Sequence, residues 1–319
     1  MTSRPDQTDQ HRQPEGTVRP DHADQSDPLG AVGQLAIIGT GLLGTSVGLA
    51  LKAGGFRGNV LGVARREATL AQAREVGGID AATTDVESAI TDSQLAILAV
   101  PLGAFEAMLA RIGSVSHDRL VLTDVGSTKS SVLAAARRHL PESCRRRFVG
   151  AHPMAGSEQQ GPEAANPELF RDKPCIITSE PDTDSEAVTL VEALWRRLGM
   201  RLLHMTASEH DEAVATVSHL PHAVATLLIQ VAMERGGWEV ASTGFRDTTR
   251  LASSNPPMRA DILAANREAI LGALDVMRRH LDAFAGLLNR GDIAGVLELL
   301  ESSRSARERW LSEKGAHRR

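Results

Sequence analysis

The chain contains no tyrosine. That absence excludes every mechanism built on a tyrosine general acid, including the Tyr/Lys pair of short-chain dehydrogenases. Other aromatics are sparse, with six phenylalanines and three tryptophans in 319 residues. Two cysteines, Cys144 and Cys175, make no disulfide framework. No apolar run reads as long enough to span a membrane, and none has the form of a secretory signal. Positive charge is not in excess: 35 Lys and Arg against 40 Asp and Glu give a formal net charge of -5, which argues against nucleic acid as a partner. No Cys/His spacing suits zinc, and no carboxylate cluster suits calcium or magnesium. No Ser nucleophile elbow supports hydrolase chemistry. The expectation is a mildly acidic cytoplasmic protein, long enough for two domains, with no metal site.

What is present is an alternation of short apolar runs with helical patterns. Residues 1–33 precede it and are expected to form a disordered tail, because so polar a segment buries too little to offset its ordering entropy. A start codon assigned too far upstream would explain the tail equally well. Leu35-Ala36-Ile37-Ile38 then runs into Gly39-Thr40-Gly41-Leu42-Leu43-Gly44, and a helical pattern continues through Leu51. Strand, glycine turn and helix in that order make a phosphate cradle. Gly39 permits the turn, Gly41 lets the backbone approach a pyrophosphate, and Gly44 lets helix and strand pack closely. Free N–H groups at the helix start attract the anion.

The next strand, 59–64, is followed by Arg65 and Arg66 and lacks the acid that usually binds a ribose 2′-hydroxyl. Two guanidiniums there favour NADP over NAD, unless they are ordinary solvated charges at a helix start. Further strands are expected at 95–101, 120–124 and 175–178, and helices at 67–76 and 186–198. The alternation implies an α/β, Rossmann-like, doubly wound parallel sheet over residues 34–182. Val100, Pro101 and Asp124 would then lie along the cofactor edge.

Ala151-His152-Pro153-Met154-Ala155-Gly156-Ser157-Glu158 puts a histidine, a hydroxyl and a carboxylate in one loop beyond an apolar strand end. Ligands of open α/β sheets bind at such ends, and a histidine there can exchange a proton near neutral pH. On its own the loop reads equally well as a tight Pro/Gly turn with a satisfied histidine. Beyond it, residues 183–319 are read as an all-α domain, helical only from Thr206 on. Ser208 is a plausible N-cap, with Asp211 three residues on. Pro221, inside Val217-Ser218-His219-Leu220-Pro221-His222, should kink its helix. His219 and His222 share a face, and taken alone a core position is favoured for them. Residues 244–250 read as a dense polar loop, whose arginines suit carboxylates or simply face solvent. Leu263, Ile270, Leu274, Met277, Leu281, Phe284 and Leu288 recur at heptad-like spacing, as in a long helix packed on a partner helix within the chain or across a dimer seam. The charges beyond Leu300 read as a solvated helix.

Five of these pieces together resemble the prephenate/arogenate (cyclohexadienyl) dehydrogenase family of tyrosine biosynthesis. They are Gly39-Thr40-Gly41-Leu42-Leu43-Gly44-Thr45-Ser46, Asp124-Val125-Gly126-Ser127-Thr128-Lys129, His152-Pro153-Met154-Ala155-Gly156-Ser157-Glu158, the 217–222 stretch and Phe245-Arg246-Asp247-Thr248-Thr249-Arg250, in the family's order. The resemblance implies an oxidative decarboxylation of prephenate or arogenate. Hydride leaves the carbon bearing the 4-hydroxyl for the nicotinamide, carbon dioxide leaves the opposite ring carbon, and the ring becomes aromatic.

By the same likeness His152 accepts the hydroxyl proton and Ser127 helps place the hydroxyl or the nicotinamide. Arg250 binds a substrate carboxylate, His222 and Ser157 are further substrate contacts, and Glu158 and Asp247 join an ionic network at the entrance. A homodimer through the C-terminal helices is expected. The chain departs from the family at Arg259, where many relatives carry tryptophan. At 64–66 it looks more like the NADP-using, arogenate-preferring members. Neither a chorismate mutase segment nor a full regulatory ACT domain is expected, so any feedback by tyrosine would act at the active site. Rival readings are another Rossmann-plus-helical reductase, such as a β-hydroxyacid dehydrogenase, and an NADP(H) sensor without turnover.

Overall fold

The structure, a computed structural model, describes residues 27–156 and 159–316. Eight strands form one sheet: β1 (Gln34–Ile38), β2 (Asn59–Val63), β3 (Ala81–Thr83), β4 (Leu95–Leu98), β5 (Val121–Asp124), β6 (Phe148–Pro153), β7 (Pro174–Thr178) and β8 (Arg201–His204). Their order is β3-β2-β1-β4-β5-β6-β7-β8, parallel throughout except where β6 meets β7. The strand order reverses between β1 and β4, the switch point at which an open α/β sheet binds its ligand.

Helices α1 (Leu42–Ala53) and α2 (Glu67–Glu75) cover one face. The other is covered by α3 (Val86–Thr91), α4 (Phe105–Val115), α5 (Ser130–His139) and α6 (Glu142–Arg145), and α7 (Ser185–Arg197) returns to the first. This double covering explains the unbroken apolar runs. Leu35 and Ile37 enter the core beneath α1 and α7, while Ala36 and Ile38 enter the core beneath α3, α4 and α5. A strand buried on both sides has no polar face to alternate with.

Two boundaries differ from expectation. The end of the expected tail is ordered: Pro28–Ala31 form a 3₁₀ turn, Leu29 is fully buried, and Asp27 pairs with Arg197 at 2.6 Å. Residues 1–26 lie outside the described residues. The sheet also runs past residue 182, since α7 packs on it and β8 pairs with β7. β8 is a short, largely exposed edge strand with polar ends, so its sequence carries no buried run to betray it.

Beyond the sheet lie α8 (Ala207–Val214), a π turn (Ala215–His219), α9 (Leu220–Arg235), α10 (Thr243–Thr249), α11 (Pro256–Ala265), α12 (Arg267–Asn289) and α13 (Ile293–Ala316). The N-cap of α8 is Thr206 rather than Ser208, in a capping box with Glu209. Pro221 distorts the helix as expected of a proline, but the distortion is the π turn just before it. Pro221 has no N–H to offer Val217, and the wider turn accommodates its ring.

Residues 243–249 are helix rather than loop. The Thr248 and Thr249 hydroxyls bond back to the Gly244 and Phe245 carbonyls, so a polar sequence is satisfied within the helix. The heptad-like pattern spans a break at Asn266, leaving Leu263 on α11 and the rest on α12. Contrary to the expectation of no such stretch, the continuous helical run 207–235 contains an 18-residue window with a mean hydropathy of 1.4, long and apolar enough, by length and composition only, to cross a membrane. Asp211, His219 and His222 interrupt that run and face the site described next.

Candidate active site

The glycine turn between β1 and α1 has the three expected roles. Gly39 has φ 106°, and a Cβ there would lie 2.4 Å from the Ala99 carbonyl oxygen. A Cβ on Gly44 would lie 2.0 Å from the Gly39 oxygen, so only glycine lets α1 sit this close to its strand. A Cβ on Gly41 would meet nothing within 4 Å: this side of the turn is open. Gly41 caps α1, Leu42 and Leu43 start it half-buried, and the buried Thr40 hydroxyl has no hydrogen-bond partner. The open backbone at a helix N-terminus fits a dinucleotide pyrophosphate. Val100 and Pro101 follow β4 beside this turn, half-buried and exposed respectively. Arg65 and Arg66 stand exposed past the end of β2, and the nearest acid in sequence is Glu67, inside α2.

Asp124 does not face the cofactor edge. Its carboxylate is fully buried and accepts from the Gly126 amide at 2.8 Å, the Ala151 amide at 2.9 Å and the Lys129 ammonium. Lys129 also donates to the Ala151 carbonyl at 2.8 Å. Ala151 is thus held by both its backbone groups, and the next residue is His152.

His152, next to last in β6, has 8 % of its surface exposed. Its Nδ1 is 2.8 Å from His210 Nε2, and the rings meet edge to face. His210 Nδ1 is 2.8 Å from Asp211 Oδ1. Asp211 also accepts from the Lys129 amide at 2.7 Å and the Ser130 amide at 2.9 Å. Burial opposes charge on Asp211, but these bonds outweigh it and hold the carboxyl below its usual range. Burial, more than offsetting Asp211, holds His210 below the usual histidine range. Burial first, then the charges of His210, Lys129 and His219, push His152 well below the usual histidine range.

These states fix the protons. His210 has one, and Asp211 takes it on Nδ1. His210 Nε2 must therefore accept from His152 Nδ1–H, which leaves His152 Nε2 with a free lone pair. Behind this chain, the Asn266 amide donates to the Asp211 carbonyl at 2.7 Å and to His219 Nδ1 at 3.1 Å. His219 is buried, and burial with the nearby Arg259 charge lowers it to about 4.

His222, three residues on, is half-buried and donates through Nδ1 to the Leu251 carbonyl at 3.2 Å. Burial, then Arg259, then Arg250 lower its pKa. Arg250 is exposed at the start of the 3₁₀ turn Arg250–Ser253. Asp247 is exposed and pairs at 3.2 Å with Arg246. Ser127 is half-buried in the turn between β5 and α5. Ser157 and Glu158 lie outside the described residues.

The structure thus places His152 and the Ser127 turn at the carboxyl ends of β6 and β5, and holds His222 against the turn that begins at Arg250, through the Leu251 carbonyl. Lys129, His210, Asp211 and Asn266 were not singled out for this site from the sequence. The available signal was the His210-Asp211 pair placed on the buried face of a capped helix, one turn before Val214.

Comparison with known proteins agrees with this arrangement. The pattern described as prephenate dehydrogenase, nucleotide-binding domain, matches residues 47–204, and that described as prephenate dehydrogenase, dimerization domain, matches residues 206–302. Cyclohexadienyl dehydrogenase of Zymomonas mobilis is 33% identical over 86% of this chain and 94% of its own length. Prephenate dehydrogenase of Bacillus subtilis is 32% identical over 88% of this chain and 77% of its own. The crystal structure of prephenate dehydrogenase from A. aeolicus in complex with hydroxyphenyl propionate and NAD+ superposes with a TM-score of 0.81 at 28% identity, covering 86% of this chain and 97% of that one. Synechocystis arogenate dehydrogenase superposes with a TM-score of 0.75 at 29% identity, over 87% of this chain and 99% of that one. The chain belongs to the prephenate dehydrogenase family.

Proposed function

We infer that the chain is an NAD(P)-dependent oxidoreductase acting in tyrosine biosynthesis, which oxidatively decarboxylates prephenate to 4-hydroxyphenylpyruvate or arogenate to tyrosine. The observation that carries the reading is the free Nε2 of His152. It follows from the Asp211–His210–His152 chain, at the carboxyl end of β6, on the same edge of the sheet as the glycine turn after β1 but with β4 and β5 between.

Oxidation of a ring alcohol needs a group to take the hydroxyl proton as the carbonyl forms, and a neutral imidazole in reach is suited to it. His152 Nε2 accepts that proton, and Asp211, through His210, steadies the positive charge that results. Ser127 orients the hydroxyl. Arg250 binds a carboxylate at the far end of the ring, His222 and Ser157 are further substrate contacts, and Glu158 and Asp247 shape the entrance. A nicotinamide, when bound, supplies the hydride acceptor. Gly39, Thr40, Gly41, Leu42, Leu43 and Gly44 cradle its pyrophosphate, with Val100 and Pro101 beside them. The carbon dioxide leaves with its bonding electrons passing into the ring, so the protein has mainly to orient and polarise.

NADP is favoured over NAD. Support comes from Arg65 and Arg66, exposed at the end of β2 with no acid before Glu67 to repel a 2′-phosphate. The setting is cytoplasmic, and the assembly is a homodimer through the C-terminal helices.

The test is the initial rate of cofactor reduction in four pairings, prephenate or arogenate with NAD or NADP. Turnover in any pairing, with carbon dioxide released, supports the reaction, and the fastest pairing names both partners. Silence in all four, with NADP(H) still binding, would return the chain to the sensor or to another reductase.

A further inference from the structure

Two short contacts on one side of the His222 ring decide what its other side can bind. Nδ1 lies 3.2 Å from the Leu251 carbonyl oxygen and 3.4 Å from the Ser254 hydroxyl. A carbonyl oxygen can only accept, so Nδ1 must carry a proton to bond it. The one Ser254 hydroxyl proton goes to the same carbonyl, at 2.8 Å, and leaves none for Nδ1. A neutral imidazole has a single N–H, and here it is on Nδ1, so Nε2 holds a lone pair. The residue is half-buried, and among the described residues nothing bonds Nε2.

The surroundings do not favour a second proton. The Leu251 contact holds His222 against the turn Arg250–Ser253, where Arg250 is exposed and has no ion-pair partner among the described residues. Burial first, then the charges of Arg259 and Arg250, hold the ring below the usual histidine range. His219, one turn back, is lowered to about 4 and adds no negative charge. On α10, which packs against α9, Arg246 and Asp247 pair with each other at 3.2 Å. On α12, which also meets α9, Arg267 and Glu268 are exposed. Among the described residues no carboxylate bonds or pairs with His222.

We propose that His222 chooses between the two candidate substrates by its own protonation: as bare imidazole it accepts from the ammonium of arogenate, and only as imidazolium does it donate to the keto-acid side chain of prephenate. This rests on the reading above, in which His222 meets the substrate. Both substrates carry, on one ring carbon, a carboxylate and a short side chain that ends in a second carboxylate. Beside that second acid prephenate has a ketone and arogenate an ammonium. Every polar atom of the keto-acid side chain is an acceptor, so a lone pair on Nε2 opposes it. One proton taken from solvent makes Nε2 a donor and the ring a cation, and the keto acid then binds. The amino-acid side chain brings its own donor and needs no proton. The preference for arogenate therefore grows as pH rises above the His222 pKa.

The experiment measures kcat/KM for prephenate and for arogenate from about pH 6.5 to about pH 8.5, above the range in which the ring is charged. His152 serves both substrates alike, so the ratio of the two values cancels its titration. In wild type the ratio should move towards arogenate by about tenfold per pH unit, as the imidazolium fraction shrinks. His222→Gln, whose amide offers both a donor and an acceptor at every pH, should lower both values and hold their ratio level. Titration calorimetry of the products in phosphate and in Tris, whose ionisation heats differ, reads the proton without turnover. Near neutral pH, 4-hydroxyphenylpyruvate should take up about one proton on binding and tyrosine none, and His222→Gln should take up none with either.

A level or falling ratio in wild type would overturn the assignment, and so would a slope that persists in His222→Gln or equal proton uptake with both products. No turnover of either substrate by wild type would instead overturn the reading on which the assignment rests.

Discussion

His152 carries one proton when neutral, and which nitrogen carries it decides whether the residue can act as a base. The chain from Asp211 through His210 places that proton on Nδ1 and leaves Nε2 free. Replacing His210 by alanine should therefore lower kcat by about 10- to 100-fold with little change in KM, because the tautomer and ring angle of His152 are no longer held. His210→Gln, whose amide oxygen can still accept from Nδ1–H, should recover part of the loss. A His210→Ala protein with wild-type kcat would remove the relay from the mechanism. The pH profile carries a sign. Burial holds His152 below the usual 6.5, so the neutral, base-competent form persists as pH falls past that value. With arogenate, the kcat/KM plateau should extend below pH 6.5 and decline only as pH falls through the lowered pKa; a limb at or above 6.5 would contradict it. His152, His222 and Arg250 were named as candidates from the sequence only through the likeness of their motifs to the family, because taken alone the His152 loop read equally as a satisfied turn, His222 as a core residue and the Arg250 stretch as a solvated loop. His210 and Asp211 were not, because their partners lie 58 and 82 residues away and only the fold brings them together. Asp124 was misread for the same reason: its motif is cofactor-like, but its bonds turn it into the core.

The element that joins the two halves of the molecule is α5, together with the turn before it. No side chain of its own caps α5, and its N-terminal amides, on Lys129 and Ser130, are taken up by Asp211 from α8. A carboxylate at a helix N-terminus gains from the helix dipole as well as from the two bonds. One contact thus docks α8 on the sheet half, caps α5 and aims His210. The same turn buries Lys129 against Asp124, and that pair positions β6 more than it stabilises the fold, since desolvation offsets much of the attraction. Removing one partner is another matter. Lys129→Met should cost about 3–5 kcal/mol by leaving the Asp124 charge uncompensated, read as a lower urea midpoint. It should also lower turnover, because the Ala151 carbonyl loses its donor. An unchanged midpoint would place the stability of this corner elsewhere. At this scale the sequence showed the central strands and α1 because they are buried on both faces or pinned by glycines. It hid β3 and β8, which are short edge strands, and α10, whose polar residues satisfy themselves along the helix.

The whole molecule is uneven in what it buries. Among the described residues, every exposed large hydrophobic side chain except Val76 and Leu203 lies beyond residue 206. Most of them line α9, α12 and α13, with Leu227, Leu281, Leu288 and Leu300 each more than half exposed. So many exposed large apolar side chains on one region are costly on a monomer. The run 207–235, apolar enough on its own for a membrane, bears the same surface along α9. A second copy of the chain is the occupant these helices suit, since they fall within the region matching the family's dimerization domain. The heptad-like spacing along α12 was legible in the sequence, but it could not tell a seam inside the chain from one between chains. That choice depends on which face the rest of the fold leaves bare, and α12 keeps only Ile270 fully inside. Sedimentation equilibrium should therefore find wild type dimeric at micromolar concentration. Leu281→Glu combined with Leu288→Glu should weaken the dimer by about 100-fold or more, since each charge would be buried unpaired at the seam. The melting temperature of wild type should rise with protein concentration, as linkage to association requires, and that dependence should vanish in the double variant. A double variant that stays dimeric at the lowest measurable concentration would move the seam off α12 and onto α9 or α13.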